Sequence, residues 1–167
     1  ELFRFGTGYA YGAELLLEKT EGRFFGFLGY TWGTSRRNFP GYNNDEDYPP
    51  KYDRIHDINL VANYDLSKNW RFTAVFNYGT GQAYTEVLGT YATDLPTGSE
   101  TRYPFIVGAL NASRLPAYHR MDIGFTKFGG FFGLGRSQLQ LQVINLYSRR
   151  NLWFYSYDFD VNPIERE

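Results

Sequence analysis

His56 stands between Asp53 and Asp57, and His119 stands three residues before Asp122. A carboxylate beside an imidazole is the raw material of general-base catalysis and of metal binding. Neither pair goes further, because the two histidines fall on separate segments, no H-x-x-x-H spacing joins them and no nucleophile motif accompanies them. No bond-making chemistry is expected, and His56 reads as a structural ring near the end of a strand. The densest acidic run, Asn43-Asn44-Asp45-Glu46-Asp47, lacks the D-x-[DN]-x-[DN]-G order and distal Glu of a calcium loop. It reads as a solvated loop. The glycine-rich pieces GTGYAYG and YGTGQAY match neither the dinucleotide spacing nor a phosphate loop, so glycine there serves close packing or bulges in strands. No metal and no cofactor are expected.

The elements that would carry these residues are strands. The 167 residues include 15 Tyr, 15 Phe, 3 Trp and 18 Gly but only one Met, a balance that favours β structure with frequent turns. The formal charge of −1 offers no basic field for nucleic acid. Cysteine is absent, which removes disulfides and thiolate metal sites. No window is apolar enough for a membrane-spanning helix, yet strands of a transmembrane barrel need only about 9 to 11 alternating residues. The opening ELFRFGTGYA lacks the basic and apolar regions of a signal peptide and reads as an internal stretch.

Six strands are predicted, over about 8–19, 24–36, 57–66, 70–79, 118–128 and 138–147. In the third, Ile58, Leu60, Ala62 and Tyr64 alternate with Asp57, Asn59 and Asn63. In the fourth, Trp70, Phe72, Ala74, Phe76 and Tyr78 alternate with Arg71, Thr73, Val75, Asn77 and Gly79. Ser67-Lys68-Asn69 turns one into the other. The second strand is aromatic on both parities (Phe24, Phe25, Phe27, Tyr30, Trp32), and its faces cannot be assigned from pattern. Connections alternate short and long, with long irregular ones near 38–53 and 85–115, the latter carrying Pro96, Gly98 and Pro104. In an antiparallel meander this puts all short turns on one side, as in outer-membrane barrels. Tyr9, Tyr11, Tyr64, Trp70 and Tyr78 fall where interfacial girdles would lie. The same rings would be core in a soluble all-β binding or adhesion module with aromatic loops, and that alternative stays open.

Longer stretches then become specific. GTGYAYGAELLLEKTEGRFFGFLGYTWGTSRR (6–37, with Gly8, Gly12 and Glu14), PPKYDRIHDINLVANYDLSKNWRFTAVFNYGTGQAYT (49–85), RLPAYHRMDIGFTK (114–127) and LQVINLYSRRN (141–151) follow in order. Together they resemble the C-terminal part of the barrel of a TonB-dependent outer-membrane receptor, in particular transporters of the Bacteroidetes type. The resemblance implies an all-β, antiparallel up-and-down meander of about six strands, all of 1–167 forming part of a transmembrane barrel of about 22 strands. The plug domain, the energy-coupling box and the closing strand of that family are not matched, so a fragment of the wall is expected. Implied too are location in the outer membrane, lipid and the receptor's own plug as partners, and a TonB energy-coupling system acting through the unmatched N-terminal part. The function implied is active uptake of a large scarce solute such as a siderophore, cobalamin or glycan. Tyr42, Asn43, Asp45, Asp47, Tyr48, Tyr91 and Asp94 are then candidate solute contacts on external loops. Glu14, Asp57, Arg71, Arg120 and Asp122 are candidate lumen-facing charges, expected to form a ladder against the plug.

Overall fold

A computed structural model describes residues 3–94, 101–130, 135, 137–158 and 165–166. Pro96 and Gly98, most of the turn after Phe128 and the chain end from 159, except 165–166, lie outside the described residues. The described chain is all-β, apart from one 3-10 turn at Asn43–Asp45. Its main feature is one six-stranded antiparallel meander: β1 (Thr7–Lys19), β2 (Phe24–Asn38), β3 (His56–Ser67), β4 (Trp70–Gly79), β5 (Tyr118–Phe128) and β6 (Gln138–Val143). Each strand pairs with the next in sequence order, so short turns gather at one end and long connections at the other.

The register settles which residues share a face. Leu17 is opposite Leu28, Leu28 opposite Leu60, Leu60 opposite Phe76 and Phe76 opposite Met121. Directly opposed residues project to the same side, so this row crosses five strands on one apolar face. Tyr30 pairs with Ile58 and Trp32 with His56, which places both rings of β2 on that face. Phe25 pairs with Asn63 and faces the other way. The reason lies in its neighbours: the Arg71 guanidinium sits 4.7 Å from the Phe25 ring centre and 5.2 Å from that of Phe128. An aromatic clamp on a cation accounts for Phe25 on the polar parity, and Phe27 joins it there in a row with Val61 and Val75.

Aromatic residues border the apolar face. Tyr9, Tyr11, Trp32, Tyr30, His56 and Tyr78 lie toward the long-loop end, and Phe24, Tyr64 and Trp70 toward the turns. Tyr30 Oη and His56 Nδ1 share a 2.9 Å hydrogen bond, and His119 Nδ1 is 2.8 Å from Tyr147 Oη. Between Tyr78 and Trp70, at about 3.4 Å per residue, the strand covers about 27 Å.

The sheet is a single layer. Among the described residues, substantial element contacts join only hydrogen-bonded neighbours. Accessible surface totals 12526 Å², whereas a compact monomer of this mass would expose roughly 8,500 Å². Leu15, Leu17, Tyr64 and Leu141 stay exposed on the apolar face.

Two expectations need correction. The connection between β4 and β5 is not irregular: its legs pair as a ribbon, with rungs at Ala83–Arg114, Val87–Val107, Thr90–Phe105 and Asp94–Thr101. The rungs are short and broken by a register shift between Val87 and Gly89 and by Pro104, which hides them from a periodicity reading. The sixth strand ends at Val143 rather than near 147. Asn145 turns left-handed at φ 55, and its N–H donates to Asp122 Oδ1 at 2.8 Å instead of a strand partner.

Candidate functional site

Packing concentrates where the long connections meet. Of the buried described residues, Pro50, Asp53, Gly79, Gly81, Ala83 and Leu115 all sit at this end, and only Gly124 and Thr126 lie deeper in the sheet. Asp53 is the hub, its side chain only 2% exposed. Its carboxylate accepts the Ser35 N–H at 2.9 Å and the Ser35 hydroxyl at 3.2 Å, and it ion-pairs with Arg114. Arg114 also donates to the Asp53 carbonyl at 2.9 Å and to the Gly81 carbonyl at 3.1 Å. One buried carboxylate thereby ties β2, the 39–55 connection and the base of the ribbon together.

Burial alone would raise the pKa of Asp53, and it is the largest single influence. The hydrogen bond from Arg114, the Ser35 N–H, the Arg114 charge and the Ser35 hydroxyl together outweigh it, so the carboxyl lies below its ordinary 3.8.

Further bonds lock the two connections. Asn43 Oδ1 accepts the Leu110 N–H at 2.9 Å, and Asn111 Nδ2 donates to the Pro49 carbonyl at 2.9 Å. The segment after β6 joins them: Asn151 exchanges two 3.1 Å bonds with the backbone of His119, Arg149 donates to the Ala117 carbonyl, and the rings of Tyr155 and Tyr84 lie 5.4 Å apart.

A cleft opens between these three segments. Its inner chamber, about 140 Å³, is walled by Leu115, Pro116, Tyr118 and Trp153, with Arg54 and Gln82 reaching it. The outer chamber, about 220 Å³, shares Gln82, Leu115 and Trp153 and adds Lys51, Tyr84 and the rings of residues 154, 155 and 157. Tyr118 lies on the polar face, opposite Gly79 and in one row with Asp57, Thr31 and Glu14, so the inner chamber continues that face.

Gly81 fixes the cleft floor. A Cβ there would stand 1.6 Å from the Leu115 carbonyl oxygen, and that backbone is held by the Leu115 N–H to Gln82 carbonyl bond of 3.0 Å. Gly81→Ala is expected to cost about 1–3 kcal/mol of local stability. Hydrogen exchange should show it as faster exchange at Leu115 N–H, with the β3–β4 amides unchanged.

None of the seven loop residues singled out from sequence lines the cleft. Tyr42 stacks under Arg4, Asn43 holds Leu110, and the side chain of Asp45 accepts the Gly41 N–H at 2.7 Å. Asp47 Oδ1 accepts from Asn38 at 3.1 Å, and Tyr48 bridges to Arg37 through the backbone. Tyr91 and Asp94 lie far out on the ribbon, and the Asp94 side chain is outside what is described. The five charges Glu14, Asp57, Arg71, Arg120 and Asp122 do share the polar face. Arg71 bonds Asp65 across strands at 2.7 Å, and Arg120 pairs with Asp122 along one strand at 2.9 Å. Asp57 accepts from Asn59, whereas Glu14 has no side-chain bond among the described residues.

Sequence reasoning missed Lys51, Arg54, Gln82 and Trp153, which come from three separated segments. Only the stiffening Pro49, Pro50 and Pro116 beside them hinted at a fixed meeting point. No protein-family model, no curated protein and no solved structure matches this chain.

Proposed function

We propose that this chain is part of the wall of a transmembrane β-barrel of the TonB-dependent receptor kind, in the outer membrane, and serves uptake of a scarce solute. One observation carries the reading: a single-layer meander has a continuous apolar face bordered at both ends by aromatic rings, and an opposite face that is mostly Asn, Gln, Thr, Gly and charges, with Leu16, Phe25, Phe27, Val61 and Val75 among them. In water such a face would be an uncovered apolar patch. In a bilayer it matches a lipid-facing band of about 25 Å with two girdles. The polar face then borders the lumen and the receptor's plug, the long connections lie outside, and energy arrives through a TonB system acting on another part of the receptor. A soluble module would need a second layer over Leu15, Leu60 and Leu141, and the described residues supply none.

The absence of native cysteine makes the test clean. Single cysteines at Leu60, Phe76, Leu141, Asn59, Asn77 and Gln142 are introduced, and the chain in lipid vesicles is treated with a water-soluble maleimide. The three polar-face positions should label at least tenfold faster than the three apolar ones. Equal labelling of both sets, or a chain that stays monodisperse without detergent, would sink the membrane reading.

A further inference from the structure

The cleft at the long-loop end has unspent recognition chemistry. Gln82 reaches both chambers, and its side-chain amide makes no hydrogen bond among the described residues. Arg54 lines the inner chamber, with its guanidinium 5.9 Å from the Tyr118 ring centre and no ion pair among the described residues. Lys51 lines the outer chamber, exposed and likewise unpaired. Among the described residues no carboxylate lines either chamber. The nearest acid, Asp53, is already neutralised by Arg114 and turned away into the hub. Asp57 is the other acid near Arg54 among the described residues: its Oδ2 lies 3.3 Å, and Arg54 Nη1 2.6 Å, from where a Cβ on Gly79 would stand, and the two form no salt bridge.

Charge and shape agree on what would fit. Two cations with one acid near them, Asp57 beside Arg54, leave the chamber wall net positive among the described residues, which favours an anion. The walls of Tyr118, Trp153, Leu115 and Pro116 favour a ring that presents an apolar face. The inner chamber of about 140 Å³ is close to the roughly 150 Å³ that accommodates one benzene ring in a protein cavity. The outer chamber continues past Gln82 and Trp153, so a ligand can extend beyond the ring without meeting a closed wall.

We propose that this cleft binds a ring-bearing carboxylate, with the ring in the inner chamber and the carboxylate on Arg54, Gln82 supplying a hydrogen bond and Lys51 adding long-range attraction. That such a compound is also the solute taken up rests on the barrel reading above; the binding itself does not. An aryl acid and an acidic sugar share this chemistry, and the experiment separates them.

Benzoate, benzamide, glucuronate and glucose are titrated against the full chain in lipid vesicles, with tryptophan fluorescence as the readout. The chain has three tryptophans, and Trp32 and Trp70 lie on the sheet's apolar face. The part of the signal lost in Trp153→Phe therefore reports on the cleft. One of the carboxylates should bind saturably, with affinity at least tenfold above that of its neutral counterpart and falling as salt is raised. Arg54→Gln should weaken it tenfold or more, Arg54→Lys should restore part of the loss, and Lys51→Gln should weaken it less. Response to benzoate alone identifies an aromatic acid, and response to glucuronate alone an acidic sugar; either supports the proposal. Equal binding of the neutral compounds, indifference to Arg54→Gln, or no saturable signal overturns it. The cysteine labelling, run on the same samples, keeps the two readings apart. Lost binding with alternation intact removes the ligand alone, and lost alternation with binding intact removes the barrel alone.

Discussion

Asp53→Ala is expected to release the 39–55 connection from the sheet and the ribbon, at a cost of about 3 kcal/mol. The magnitude follows from what is left behind. Removing one partner of a buried ion pair costs about 3–5 kcal/mol, because the other charge stays desolvated without compensation. Arg114 keeps 26% of its side chain exposed, so water recovers part of that cost and the low end applies. Arg114→Ala should cost somewhat less, since the nearly buried Asp53 carboxylate keeps both Ser35 bonds and the Arg36 guanidinium at 3.9 Å. The double variant should cost clearly less than the two single costs added, because both remove the same contact. Limited proteolysis within 39–55 and 80–117 measures this directly. Additive effects, or unchanged cleavage in Asp53→Ala, would show that the hub does not hold the loops.

The same carboxyl gives the staple a pH dependence with a definite sign. Its folded pKa lies below the ordinary 3.8, so its stabilising contribution is complete above the ordinary value and is lost as the pH falls through the lowered one. The chain should therefore keep its loops docked at neutral pH and loosen them only in strong acid. Asp53→Ala should show the loosened state already at neutral pH and lack the acid transition.

How legible this was differs from strand to strand. β3, β4 and β5 could be read because each has apolar neighbours on one side and amides, hydroxyls and charges on the other, so a period of two survives in the sequence. β2 resisted because Phe25 serves the polar face as half of the clamp on Arg71, a role that only the register exposes. The ribbon escaped because its rungs are too short for any period. The cleft was least legible: Arg54 and Trp153 are almost a hundred residues apart, and nothing in either local stretch reveals the other. The stretch PPKYDRIHD does carry a hub, but its acid works through Ser35 and Arg114 rather than through the adjacent His56, which bonds Tyr30 on the opposite side of the sheet.

Leu60→Arg is the substitution that separates the two media most sharply. Leu60 sits at mid-height of the apolar face between Leu28 and Phe76, with 37% of its surface exposed. If that surface meets water, an arginine there extends into solvent and changes stability by about 0.5 kcal/mol or less. If it meets the bilayer midplane, the same change costs about 2–4 kcal/mol. Gln142→Arg on the exposed polar face is the matched control, and it should be near neutral in either medium because its side chain points away from the apolar band. Urea unfolding of the chain in lipid vesicles measures both variants, and the yield in the outer-membrane fraction of cells gives a second reading that does not depend on refolding. A large loss for Leu60→Arg with Gln142→Arg unaffected is the expected pair. Equal tolerance of both would mean that no lipid lies against the row from Leu17 to Met121, and the uncovered face would then have to be met by another protein layer. The depth dependence adds a further constraint: Tyr64→Arg, nearer the turns, should cost about 1 kcal/mol or less, because an interfacial position lets the guanidinium reach the headgroups.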